Sequence, residues 1–260
     1  MTSVSPIASV TPPGPFYVRA HQFAIDLPTG RVVFTTRRGG SSRGPYESLN
    51  LGRLTADQPA RVQRNRAGLE AEIGRQLAFV RQVHGAEVRR LTSESARQAR
   101  HASPDQLTRA DGLVTAQPGL APTVLTADCL PLAILGDGVA AMLHGGWRGL
   151  EAGIVAAGVK RVREINPTGP LSAAIGPGAR ACCYEVGPEV HAAFAEQPDA
   201  VHRGANLDLP AIARHELERA GVTEIHDIGL CTMCSDPSLF FSHRRDNGVT
   251  GRQAGIAWLN

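Results

Sequence analysis

A chain of 260 residues, 42% hydrophobic and 20% charged, has the make-up of an ordinary globular protein and the length for a sizeable core. Its net charge of +3, carried by arginine with Lys160 the only lysine, includes no dense basic run that would argue for nucleic acid. No apolar run approaches the roughly 18 residues of a membrane-spanning helix.

Met1 to Pro15 lacks a basic segment followed by an apolar one, so no signal peptide is expected and the chain reads as cytoplasmic. Rich in Ser, Thr and Pro, these fifteen residues read as a flexible tail ahead of a single catalytic domain over 16–260. In that compartment the five cysteines should be largely reduced, and an odd count fits a disulfide framework poorly.

From Phe16 the pattern turns strand-like, and Arg31 to Thr36 is a second, β-branched strand. Arg37 to Pro45 is a Gly- and Ser-rich loop. Ala56 to Gly74 fits an amphipathic helix with Val62, Leu69 and Ile73 on one face. Phe79 to Val83 and Glu87 to Leu91 read as short strands around a His84-Gly85 corner, and Thr92 to Arg109 as a polar surface loop with one helical turn at most. Gly112 to Thr115 and Thr123 to Thr126 read as strands. Leu132 to Met142, interrupted by Gly136-Asp-Gly138, reads as a hairpin. Arg148 to Ile165 is expected to be one helix stopped by Asn166-Pro167. A strand at Leu171 to Ile175, helices at Glu189 to Glu196 and at Leu209 to Ala220 closed by Gly221, and strands near Glu224 to Ile228 and Ala254 to Leu259 complete the chain. The pattern is one α/β domain with a sizeable mixed sheet.

Three segments put a metal-capable side chain beside glycines or at a strand end: Gln82-Val-His84-Gly85, Asp128-Cys129-Leu-Pro131 and His144-Gly-Gly-Trp-Arg148. Two imidazoles and a thiolate suit zinc, and three protein ligands with an open fourth position is the catalytic arrangement. Their wide separation is unlike a zinc finger. Taken singly, each also suits a blander role, a hydrogen-bonded loop histidine or a small buried cysteine. Arg148, at the start of a helix, is a candidate anion-binding group, its alternatives being solvation or a pair with Glu151. Arg37, with Ser41 or Ser42, is a candidate for phosphate or nucleoside contact, against the reading that the loop glycines only make a turn. Asp128 is a candidate acid/base or ligand-orienting residue, although strand alternation would turn it away from Cys129. Cys231-Thr-Met-Cys234 lacks a second spaced pair, since Cys182 and Cys183 are adjacent, and reads as a buried turn near the site. Trp147 and Phe240-Phe241 are candidate base-stacking aromatics or core.

Many short segments, in order, resemble the bacterial YfiH/YlmD family, known both as laccase-like polyphenol oxidases and as purine nucleoside phosphorylases. They include Phe34-Thr-Thr-Arg37-x-Gly39-Gly40, Ser48-Leu-Asn50-Leu-Gly52, Gln82-Val-His84-Gly85, Ala110-Asp111-Gly112, Leu125-Thr-Ala-Asp-Cys129-Leu-Pro131, His144-x-Gly146-Trp147-Arg148-Gly149, Cys182-Cys-Tyr-Glu-Val186 and Phe240-Phe-Ser-x-Arg244-Arg245-Asp246. Gly145 stands where alanine is common in the family, and His243 where tyrosine is common.

The resemblance implies a four-layer αββα sandwich, likened to the cysteine-hydrolase-like domain of certain toxins. It implies zinc on His84, Cys129 and His144, with Cys129, Asp128 and Arg148 as catalytic candidates. Arg37, Gly40, Ser41, Asn50 and Arg148 become substrate-binding candidates. The implied reaction is phosphorolysis of adenosine, inosine, guanosine or 5′-methylthioadenosine, with adenosine deamination beside it; one metal with an open position is compatible with both. Partners are then purine nucleosides and phosphate, on a monomer or small homo-oligomer. Three other readings compete, one of them a non-enzymatic role in cell-envelope or division assembly with a vestigial pocket, against which the intact ligand set argues. A copper-dependent phenol oxidase would use a His, His, Cys site, but the nine histidines include no His-x-His pair for an oxygen-reducing cluster. A thiol hydrolase would use Cys129 with His144 as its base.

Overall fold

The two apolar runs flanking Gly136-Asp-Gly138 form the centre of the molecule. Leu130–Gly136 and Val139–Gly145 pair antiparallel across the two-residue turn Asp137-Gly138, with Gly136 opposite Val139. Gly138 adopts φ +65, a left-handed conformation that such a tight turn demands and glycine supplies.

The computed structural model describes residues 10–260. The first half contains β1 (Tyr17–Arg19), β2 (Gln22–Leu27), β3 (Gly30–Thr35), α1 (Pro59–Ile73), β4 (Gln76–Ala78), β5 (Val88–Arg90), α2 (Ser93–His101), β6 (Gly112–Thr115) and β7 (Leu120–Thr126). The central hairpin is β8 and β9. There follow α3 (Trp147–Glu151), α4 (Ile154–Arg163), β10 (Ser172–Ile175), α5 (Pro188–Ala193), β11 (His202–Arg203), β12 (Asn206–Leu207), α6 (Leu209–Arg219), β13 (Glu224–Asp227) and β14 (Gln253–Leu259).

Two six-stranded mixed sheets result, in the orders β1-β2-β3-β14-β7-β4 and β13-β10-β8-β9-β6-β5. The period-2 alternation of β8 and β9 explains how they stack. Ala133, Leu135, Ala140 and Met142 face the other sheet and pack with Phe23, Ile25, Val32, Phe34 and Ala257. Leu132, Ile134, Ala141 and Leu143 face the opposite way, onto Ile154, Val155 and Val159 of α4 and Ile212 and Leu217 of α6. On the far side of the first sheet, Val33, Ile256 and Trp258 meet Leu69 and Ile73 of α1. The layers are therefore helix, sheet, sheet, helix: the four-layer sandwich with mixed sheets. Each fully buried Leu, Ile or Phe contributes about 1.5–3 kcal/mol by leaving water.

Several local expectations change. The strand expected at 79–83 forms earlier, at Gln76–Ala78, where it pairs parallel with Leu120–Pro122 of β7. The polar stretch after Leu91 holds a nine-residue helix, α2, started by a capping box between Thr92 and Ser95. The helix expected over 148–165 is two, α3 and α4, separated at Gly153 with φ +84. Of the expected tail, residues 1–9 lie outside those described; Val10 packs against the inter-sheet core.

Candidate metal centre and its cleft

The three metal-capable side chains stand on loops and strand ends at one edge of the sandwich. His84 lies between β4 and β5, Cys129 in the turn between β7 and β8, and His144 near the end of β9. Their ligand atoms all lie within 4.8 Å of one another. The two imidazole centroids are 4.8 Å apart, with the rings at 73°. Sequence reasoning named the three; the fold brings them together.

Strand register explains the arrangement. Gly112 of β6 faces Leu143 of β9, so the preceding Asp111 comes beside His144. The buried Asp111 carboxylate lies 2.9 Å from Nδ1 of His144 and also accepts the amides of Val83, His84 and Gly85. Three amides converging on one carboxylate hold His84 in the left-handed region at φ +60, a strained position of the sort that clusters at functional sites. The Gln82 side chain completes the clamp by pairing with both the amide and the carbonyl of Leu125 in β7. Asp111 appeared in the sequence only as part of a motif; its role comes from a register that no short segment reveals.

Electrostatics follow from this packing. Burial alone would push the Cys129 thiol up, but the charge and hydrogen bonds of His144, aided by His84, hold it down at about 6. Burial would lower His144, but the Cys129 thiolate and the Asp111 carboxylate raise it to about 9. Burial likewise opposes ionisation of Asp111, which the His144 hydrogen bond and the backbone amides nevertheless hold below the usual carboxylate range. The site favours a thiolate hydrogen-bonded to His144, with the Asp111 carboxylate behind that ring. That donor set fits a borderline-soft divalent ion such as zinc, with Asp111 as the outer partner of His144.

The triad opens into a cleft of about 450 Å³ whose wall includes Arg53, Arg66, Arg148, Arg244 and Arg252. Among the described residues none of these five arginines forms an ion pair. Three lie over aromatic rings at the same wall: Arg66 at 3.8 Å from the Phe79 centroid, Arg148 at 4.3 Å from Trp147 and Arg244 at 5.3 Å from Tyr184. Burial lowers Arg66, as does the neighbouring charge of Arg53. Unpaired cations gathered in one cleft attract an anion. Arg66, Arg244, Arg252 and Tyr184 were not among the sequence candidates; Arg244 and Tyr184 lay inside matched motifs, but only the fold carries them to the cleft.

The remaining candidates divide. Arg148 lines the cleft, is exposed, and does not pair with Glu151. The helix it begins, α3, has only five residues. Asp128 also lines the cleft, but it sits in a turn at φ +89, so strand alternation does not govern its direction. Its carboxylate accepts the Thr232 hydroxyl at 2.7 Å and the Arg244 amide at 2.7 Å, tying two distant loops to the turn that carries Cys129. Arg37, Gly40, Ser41 and Asn50 do not line the cleft. Arg37 donates to the carbonyls of Glu47 and Pro237 and lies over Phe241. The Gly40 amide binds the Ser48 hydroxyl, Ser41 binds Asn65, and Asn50 binds Thr55 and Asp57. The motif is spent on its own loop. Phe240 and Phe241 are fully buried, whereas Trp147 lines the cleft.

Fold and site together define a class of αββα proteins with a candidate His, His, Cys metal centre at a sheet edge. The family model described as multi-copper polyphenol oxidoreductase laccase matches residues 31–260, and the chain belongs to this family, the YfiH/YlmD group. It is 40% identical over 253 residues to a purine nucleoside phosphorylase of Xylella fastidiosa, covering 89% of this chain and 94% of that protein. It is 39% identical to a purine nucleoside phosphorylase of Pseudomonas aeruginosa, covering 88% and 93%. Among solved structures, YfiH of Bacillus licheniformis superposes with a TM-score of 0.87 at 30% identity, covering 95% of this chain and all of that one. YlmD of Geobacillus stearothermophilus superposes with 0.85 at 29% identity, covering 94% and 98%. Among the described residues no helix is long and apolar enough to cross a membrane.

Proposed function

We propose that this chain is a zinc-dependent purine nucleoside phosphorylase acting on adenosine, inosine, guanosine and 5′-methylthioadenosine, with adenosine deamination as a side activity. The observation that carries the reading is the meeting of a His, His, Cys cluster with unpaired arginines in one cleft. The phosphorylase names of its relatives support it. His84, Cys129 and His144 hold the zinc, which when bound supplies Lewis acidity and a fixed positive charge.

The chain's own residues do the rest. Phosphorolysis joins a phosphate oxygen to the anomeric carbon of the ribose as the bond to the purine nitrogen breaks, yielding ribose 1-phosphate and the free base. Arg148 and Arg244, braced on Trp147 and Tyr184, bind and orient the phosphate, so that an encounter of two solutes becomes a positioned reaction. The same cations stabilise negative charge spread over the reacting groups. Asp128 acts as a positioning residue, since both its oxygens hold loops of the cleft wall.

One observation favours a second reading: Asp111, His144 and Cys129 also line up as carboxylate, imidazole and thiol, the order of a thiol hydrolase. Two experiments separate the two. Incubation with inosine or adenosine should release ribose 1-phosphate only when phosphate is present; no free base under any condition overturns the substrate assignment. Cys129→Ala should lose the metal of the triad and turnover together. Metal retained at the triad with lost turnover supports the thiol nucleophile instead.

A further inference from the structure

Away from the cleft wall, four of the five cysteines converge. Cys182 and Cys183 follow β10, whereas Cys231 and Cys234 follow β13. These two strands are parallel neighbours, with Ile175 opposite Asp227, so the loops that leave them emerge side by side. The sequence separation that makes the adjacent pair look unsuited to a second clip is cancelled by that register. The sulfurs of Cys182 and Cys234 are 3.3 Å apart, those of Cys182 and Cys183 3.5 Å, and those of Cys183 and Cys231 4.0 Å. All four lie within 4.8 Å of one another.

These distances discriminate. A zinc ion with four thiolates at about 2.3 Å in a tetrahedron requires sulfur separations of about 3.8 Å. A disulfide requires about 2.05 Å for one pair and nothing of the others. The observed separations cluster near the tetrahedral edge. Core packing does not explain the group either, because Cys182 and Cys234 are exposed. The Cys231 carbonyl accepts the Ser235 amide at 3.2 Å, closing the turn that carries Cys231 and Cys234. The two loops are laced together by Thr232 N–H to the Gly178 carbonyl at 3.0 Å and Gly178 N–H to the Leu230 carbonyl at 3.3 Å.

We infer that Cys182, Cys183, Cys231 and Cys234 form a second, structural metal site that binds one Zn²⁺ as a tetrathiolate. Four thiols give up their protons to the solvent and four sulfur–zinc bonds form, leaving a cluster of charge −2. Arg180, held by Asp227 at 2.9 and 2.7 Å, is a fixed cation whose backbone carbonyl accepts the Cys183 amide at 3.0 Å. The site is closed by four protein ligands, unlike the triad. Its effect on the cleft is mechanical. Thr232, inside the Cys231–Cys234 turn, donates its hydroxyl to Asp128, and Tyr184, next to Cys183, lines the cleft. One ion would therefore fix two parts of the wall at once.

The test is the zinc content of protein purified under reducing conditions, loaded with zinc sulfate and desalted, with native thiol reactivity measured alongside. Wild-type protein should hold two equivalents per chain, and its thiols should stay protected until a chelator is added. His84→Ala/Cys129→Ala, which removes two ligands of the triad, should keep one equivalent. Adding Cys182→Ser/Cys234→Ser should remove it. One equivalent in wild type with four freely reactive thiols overturns the inference. So does a native intact mass two hydrogens short, the mark of a disulfide. Because the wild-type measurements stand alone, a variant that fails to fold does not shelter the idea.

Discussion

The carboxylate of Asp111 lies 2.9 Å from Nδ1 of His144 and also receives the amides around His84, so one buried side chain orients two of the three candidate ligands. Partners behind a ligating histidine fix its tautomer and ring direction, and their loss typically weakens metal binding about 10- to 100-fold. Asp111→Asn should therefore lower zinc affinity by about that factor, read by competition with a chelator of known affinity. An affinity within about twofold of wild type would mean that the triad is held by other contacts.

The same carboxylate gives the fold a pH dependence. Its pKa is held below the usual carboxylate range in the folded state by His144 and three amides, despite burial. A depressed folded-state pKa contributes stability above the unfolded value, and that stability is lost as pH falls through the folded one. The melting-temperature gap between wild type and Asp111→Asn, measured in chelator, should thus be widest near neutral pH. It should narrow as pH falls below about 4. A gap that is constant or widens on acidification contradicts the assignment.

What could be read in the sequence was whatever depends on neighbours in the chain. The hairpin at Gly136-Asp-Gly138, the buried stripe of α1 and the three metal-capable side chains each stand out within a few residues. What lay beyond local reading has a common physical cause. Arg37, Gly40, Ser41 and Asn50 look like a substrate loop because glycine, serine and arginine are what a phosphate loop uses. Yet Asn65, on the buried face of α1, gathers the Ser41 and Ser42 hydroxyls and the carbonyls of Ser48 and Asn50. Only tertiary structure shows that these donors are already taken. Arg244 and Arg252 reach the cleft through the chain reversal before β14, and the four cysteines meet through the β10–β13 register; neither relation is local.

Arg244 offers a test of the cationic wall. Its backbone amide holds Asp128 while its guanidinium lies over Tyr184 and lines the cleft, so truncating the side chain spares the amide contact. A charge-assisted hydrogen bond is worth about 1.5–3 kcal/mol, about 10- to 100-fold. Arg244→Ala should raise the KM for phosphate by about that factor and the KM for nucleoside much less. Arg244→Lys should recover only part of the loss, because an ammonium lacks the planar fork. Equal effects on both substrates would place the guanidinium on the nucleoside instead.

Gly145 and Gly146 make a matched pair for asking whether the triad needs its close packing. Neither has a positive φ, so what each glycine provides is space. A Cβ on Gly146 would lie 2.9 Å from the Cys129 sulfur and 3.2 Å from Cδ2 of His84, inside the contact distance of two candidate ligands. One on Gly145 would lie 2.9 Å from Cδ1 of Leu132, the end of a flexible side chain that can turn away at small cost. Both substitutions add one methyl group to the same strand end, so general destabilisation is closely matched. Gly145→Ala should keep zinc and turnover. Gly146→Ala should push the thiolate or the imidazole off position and lose activity by about tenfold or more, since positioning errors of about 1 Å are that costly. Zinc content and turnover of the two variants, compared at equal melting temperature, decide the matter: equal retention in both would show that Cys129 and His84 do not act as ligands in the positions the fold gives them.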